Sequence, residues 1–187
     1  MTTSWLIILL FIFTIGLAAI IGGGIECSFA AGTDNKESPH KSRDTQADLN
    51  RWLDISFPSG MHDNSKFTIA HSISCSASKY MLDPYLILGI IFAESRGDCF
   101  AENGSCLGLM QVSNKWWGEQ LKEAGIINTP GDYFAISPAI EAGCYVLAYY
   151  LKVSNGDLKT ALKRYGGFTR TDTAQFKSYY KQVTYFM

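Results

Sequence analysis

Residues 83–112, DPYLILGIIFAESRGDCFAENGSCLGLMQV, constrain the fold more than any other stretch of the chain. The first half predicts a core helix. Asp83 is placed to cap its N-terminus, and Pro84 suits the first helical position, where an N–H would lack a partner anyway. Gly97 supplies a stop. Between these signals the run is almost wholly apolar and holds one acidic side chain, Glu94. On a helix Glu94 shares a face with Ile91, Ile90 and Ile87. A carboxyl group on a buried stripe is costly when charged, so burial raises its pKa. The partial negative charge at the helix C-terminus pushes the same way, more weakly. A carboxyl that stays protonated near neutral pH is a general acid. The plainer reading is a buried Glu paired with an Arg or Lys elsewhere.

The remaining pattern is helical. Residues 65–81 carry Phe67, Ala70, Ile73 and Ala77 at helical spacing. Ser113 or Asn114 caps a helix running to Ala124 and ended by Gly125. Ser137-Pro138 opens the longest helix, to about Val153, with Ile140, Cys144, Leu147 and Leu151 on one face. Shorter helices follow over 157–165 and 172–186. Strand signals reduce to a small hairpin near 100–107. The fold class is therefore mainly α, with a single domain over 51–187 in a chain of 187 residues.

Two segments precede that domain. Residues 5–21, WLIILLFIFTIGLAAII, carry no charge, which predicts a transmembrane anchor or signal segment over 1–25. Residues 26–50 are polar, small and mixed in charge, the composition of a flexible linker. The expected location is the cell envelope: membrane-anchored with the catalytic domain outside the cytoplasm, or secreted if the leader is cleaved at Ser28-Phe29-Ala30. Lys36, Lys41 and Arg43 argue weakly for the opposite orientation. Beyond the apolar run, Cys75, Cys99, Cys106 and Cys144 make an even count, which in an exported domain suggests two disulfides with three possible connectivities. Cys99 with Cys106 would close a short loop and leave Cys75 with Cys144 as a helix-to-helix staple. Zinc is the alternative, but no CxxC pair or neighbouring His supports it. His40, His62 and His71 are scattered, and no cofactor is expected. The net charge of −1 excludes nothing, and the basic residues after Leu151 read first as solvated helix faces; nucleic acid is not an expected partner.

Four motifs then occur in order: Glu94-Ser95, Gly108-Leu109-Met110-Gln111, Ile140-Glu141-Ala142-Gly143, and Ala161-Leu162-Lys163-Arg164-Tyr165-Gly166-Gly167. Over residues 65–167 the chain resembles lytic transglycosylases of the lysozyme-like superfamily (the SLT domain). Asn103-Gly104-Ser105, the Trp-rich segment after Gln111 and Ala124-Gly125-Ile126 look most like the small specialised peptidoglycan transglycosylases of secretion and conjugation systems. The resemblance implies an α+β lysozyme-like fold and peptidoglycan glycan strands as partner. Components of a secretion or conjugation machine would be further partners. It implies that Glu94 acts as the single catalytic acid/base, cleaving the β-1,4 bond between N-acetylmuramic acid and N-acetylglucosamine with a 1,6-anhydro end. Ser95 would fix Glu94 or the sugar, Gly108 would let backbone approach the sugar, Met110 would line the cleft, Gln111 would reach a substrate amide or hydroxyl, and Tyr165 would hydrogen-bond Glu94. Residue by residue the plainer roles are a helix-end hydroxyl for Ser95 and core contacts for Met110 and Tyr165. Trp116 and Trp117 could stack on sugars, though adjacent positions should let only one face the cleft.

A hydrolase using two carboxylates needs the second about 5–9 Å from the first, and Asp98, Glu102, Asp132 and Glu141 are the candidates. Two positions depart from the family pattern: Gly166 and Ala139 stand where Asn is usual. A muramidase-type hydrolase and a non-catalytic glycan-binding subunit of an envelope-spanning complex are the alternative functions.

Overall fold

The structure, a computed structural model, describes residues 45–57 and 62–187. The apolar run at 5–21 and most of the expected linker lie outside the described residues. Among those described, no helix is long and apolar enough to cross a membrane. All belong to one unit, Pro39–Met187.

Seven α-helices carry the described fold: α1 (Thr45–Ser56), α2 (Asp63–Tyr80), α3 (Pro84–Ser95), α4 (Asn114–Glu123), α5 (Ile136–Val153), α6 (Leu158–Tyr165) and α7 (Ala174–Val183). The mainly helical class and its small sheet are as the sequence implied. Helix α1 begins inside the span read as linker, because Leu49 and Leu53 are both fully buried and give it an apolar face to dock.

Helix α3 is the core. Leu86, Ile87, Leu88, Ile90 and Ile91 are all at most 4 % exposed, so the helix has no polar face and other elements surround it. Asp83 Oδ1 accepts the Tyr85 N–H at 2.8 Å, and Pro84 occupies the first turn. The helix ends earlier than Gly97: Arg96 (φ 55°) and Gly97 (φ 82°) are both left-handed. Ser95 Oγ accepts the Gly97 N–H at 3.1 Å, which supports a non-glycine residue in that conformation. Gly89, in mid-helix, marks a close approach. A Cβ there would stand 1.9 Å from the Val183 carbonyl oxygen, so the end of α7 lies directly on the backbone of α3.

The sheet has three antiparallel strands in the order β1 (Glu102–Asn103), β2 (Cys106–Leu107), β3 (Val112–Ser113). The expected hairpin is its first two strands. β3 escapes sequence reading because two residues are too few to display an alternation. Gly104, at φ 63°, turns the hairpin.

Among the described residues none of the disulfides expected from the cysteine count forms: Cys99, Cys106 and Cys144 are free thiols, and Cys75 is bonded to none of them. On α2 it is Ser76 that hydrogen-bonds the buried Cys144 thiol, while Cys75 Sγ lies 3.6 Å from His71 Nε2. Adjacent helical positions point about 100° apart, so Cys75 cannot occupy the place Ser76 fills. Cys106 likewise bonds Ser113 across the sheet rather than Cys99.

Candidate active site

A groove of about 480 Å³ runs beside the end of α3. The sheet side presents Asn103, Ser105, Cys106, Gln111 and Ser113. Helices α4 and α5 present Trp116, Trp117, Val146 and Tyr150, and the end of α6 contributes Arg164, Tyr165, Gly166 and Gly167. Glu94 is the one carboxylate among these lining residues. One wall is thus rich in hydroxyl and amide groups and the other in aromatic faces, the mixture that suits a sugar, with its polar rim and apolar ring faces.

Glu94 sits one residue before the end of α3. Burial holds its pKa up at about 7, and a hydrogen bond from Tyr179 partly offsets that rise. The Tyr179 hydroxyl donates to Glu94 Oε1 at 2.8 Å. Tyr179 comes from α7, and the Gly89–Val183 approach explains how it arrives there. From that contact Glu94 lies five residues on along α3, and Tyr179 four residues back along α7. At about 1.5 Å per residue, two oppositely directed helices keep those positions level. Burial and the nearby Glu94 charge push the phenols of Tyr179 and Tyr165 far above their ordinary value, so both remain neutral donors.

The residues named from sequence divide into groups. Glu94, Gln111 and Tyr165 border the groove. Tyr165 does not hydrogen-bond Glu94; its hydroxyl donates to the Met110 carbonyl at 2.8 Å, and Tyr179 is the partner instead. Gln111 (φ 48°) uses Nε2 to hold the carbonyls of Ala101 and Gly108, at 2.9 and 3.0 Å. Ser95 is turned away into the helix end, where its hydroxyl donates to the Ile91 carbonyl at 3.2 Å. Met110 is fully buried against Gly143, so it packs the core rather than lining the groove. Gly108 (φ 72°) does permit a close approach, but to the Tyr133 carbonyl oxygen, 1.9 Å from where a Cβ would stand. Both tryptophans border the groove: Trp116 is 70 % exposed, while Trp117 packs edge-on against Tyr145, Tyr149 and Tyr150.

None of the four other acids considered from sequence reaches the groove. Asp98 accepts the Phe100 N–H, Asp132 caps the turn at Asn128 and Thr129, Glu141 is engaged by Lys79 and Tyr80, and Glu102 is exposed on β1. Gly166 has a reason of its own: a Cβ there would stand 2.6 Å from the Phe168 ring and 3.3 Å from that of Tyr179. Those rings fill the space that a larger residue would take.

A family model for the transglycosylase SLT domain matches residues 71–185. The chain belongs to this family. Searches of curated proteins and of solved structures returned no match. Membership carries the lysozyme-like fold and, at the level of the family, lytic transglycosylase-type chemistry on peptidoglycan. The match spans α3, the sheet, the groove and Tyr179, so every element described around Glu94 lies within it.

Proposed function

We propose that the protein is a peptidoglycan lytic transglycosylase in which Glu94 alone serves as acid and then base. The observation that carries this reading is a lone groove carboxyl whose pKa is about 7. At neutral pH a substantial fraction is protonated and ready to donate, and the carboxylate left behind is basic enough to accept a proton. In the first step the Glu94 carboxyl gives its proton to the bridging oxygen as the bond from that oxygen to C1 of N-acetylmuramic acid breaks. The substrate's acetamido oxygen shields the positive charge developing at C1. In the second step O6 of the same sugar attacks C1, and Glu94 takes the proton that O6 loses. The product is a 1,6-anhydro end, no water is consumed, and Glu94 is returned protonated. No second carboxylate is required, in keeping with the groove lining.

Tyr179 steadies Glu94 in both states, since its hydroxyl can donate to a carboxyl or a carboxylate oxygen. The polar wall would hold hydroxyl and acetamido groups, and Trp116 would offer a ring face to a sugar. In the cell the reading places the domain in the envelope, held by the segment at 1–25 and working on strands close to the membrane. Its service to a secretion or conjugation machine is part of the same proposal.

Mass analysis of products from purified cell wall tests the chemistry. Wild type should release muropeptides lighter by one water than hydrolytic products, and Glu94→Gln should lower the rate by at least about a thousandfold, the scale of losing an essential proton donor. Hydrated ends would convert the reading to a hydrolase. A Glu94→Gln rate near that of wild type would remove Glu94 from the mechanism.

A further inference from the structure

Two charged side chains border the groove, Glu94 and Arg164, and the mechanism uses only the first. Arg164 lies in the last turn of α6 and is exposed. Among the described residues no carboxylate stands within ion-pairing distance of it, whereas Arg170 is tied to Asp172 and Lys79 to Glu141. A cation in a last helical turn complements the helix dipole, but Lys163 in the same turn already does so. Of the two glycines on the groove border next to Arg164, Gly166 is backed by the Phe168 and Tyr179 rings, but at Gly167 a Cβ would meet nothing within 4 Å. A guanidinium therefore stands at an open stretch of rim, with room for something that branches off the strand.

The glycan rings of peptidoglycan carry hydroxyl and acetamido groups and no charge. The negative charge lies on the peptides attached through the lactyl ether of N-acetylmuramic acid. We propose that Arg164 binds a carboxylate of that peptide branch and makes the site favour peptide-bearing strands over bare ones. The inference rests on the function proposed above and names which form of that substrate the groove takes. The planar fork of a guanidinium can hold both oxygens of one carboxylate, which an ammonium group cannot.

The test compares soluble glycan strands carrying their peptides with the same strands stripped by an amidase, using the full-length protein in detergent. The lactyl carboxylate that the amidase frees is capped as its methylamide, so that the bare strand is uncharged. The ratio of kcat/KM between the two substrates is the readout. Wild type should prefer peptide-bearing strands, and Arg164→Gln should reduce that preference by roughly threefold to fivefold, the scale of an exposed ion pair. Arg164→Lys should fall between them. Converting the peptide carboxylates to amides should bring wild type to the Arg164→Gln ratio. An unchanged ratio, or an equal loss on both substrates, would overturn the proposal. The same ratio measured as affinity, in Glu94→Gln with and without Arg164→Gln, reads the inference without chemistry. Loss of cleavage by wild type with the affinity ratio intact would overturn the proposed reaction and leave the role of Arg164 standing.

Discussion

The loop at 108–111 and helix α7 serve one carboxyl group in opposite ways. The loop carries one of the most recognisable motifs in the sequence, yet most of it faces inward. Leu109 and Met110 are fully buried, Gly108 lies against the Tyr133 backbone, and Gln111 spends its amide on the carbonyls of Ala101 and Gly108. Helix α7 has no motif that drew notice, yet it supplies the group that touches Glu94, the Tyr179 hydroxyl. The loop therefore shapes the groove through its backbone, and the helix touches the Glu94 carboxyl directly. A motif can mark where backbone demands are severe rather than where chemistry occurs.

The largest effect expected from this division is on stability, at Gly108. An added methyl group would meet the Tyr133 carbonyl oxygen and sit at φ 72°, so Gly108→Ala should cost about 3 kcal/mol or more from overpacking and left-handed strain together. Urea unfolding would measure it. If the loop is scaffold, turnover per folded molecule at low temperature should fall far less than the folded fraction does at high temperature. A catalytic collapse in a protein of unchanged stability would break the comparison.

Tyr179→Phe should do the reverse, leaving stability nearly intact and striking the chemistry. The lost hydrogen bond favours the ionised form of Glu94, so its removal should raise the Glu94 pKa further above its ordinary value. A general acid works only while protonated, so wild-type kcat/KM should decline as pH rises through about 7. In Tyr179→Phe that decline should move to higher pH. Below it, kcat should drop about tenfold, because one charge-assisted hydrogen bond that positions the carboxyl is gone. A pH profile that stays in place would show that the phenol does not bear on Glu94 in solution.

The same contrast explains how much could be read before the fold was known. The capped, apolar α3 with its lone acid is a local pattern, and its consequences, burial and a raised pKa, follow from elementary electrostatics. The helix series was legible for the same reason, since each member carries its own period and caps. Tyr179 was not, because its contact with Glu94 spans 85 residues and depends on how α7 lies against α3. Gly89 was the available signal: a glycine inside an otherwise bulky helix announces that another backbone comes close, though it cannot say which. The expected disulfides failed through orientation, which an even count of cysteines cannot express. Ser76, and not its neighbour Cys75, meets Cys144.

Ser95 provides the smallest and most discriminating prediction. It directly follows Glu94 in the chain, and the family resemblance alone would assign it to the chemistry. In the structure its hydroxyl donates to the Ile91 carbonyl and accepts the N–H of the buried Gly97, closing a helix end whose next residue, Arg96, is left-handed. Ser95→Ala leaves that N–H without its partner, which should cost about 1 kcal/mol and lower the melting temperature by about 2–4 °C. Because neither bond involves Glu94, the pH at which kcat/KM declines should stay at the wild-type position, in contrast to Tyr179→Phe. A shifted pH profile at unchanged melting temperature would put Ser95 in contact with the carboxyl during turnover. The helix end would then be part of the chemistry, and the division between shaping and touching would no longer separate the two sides of the groove.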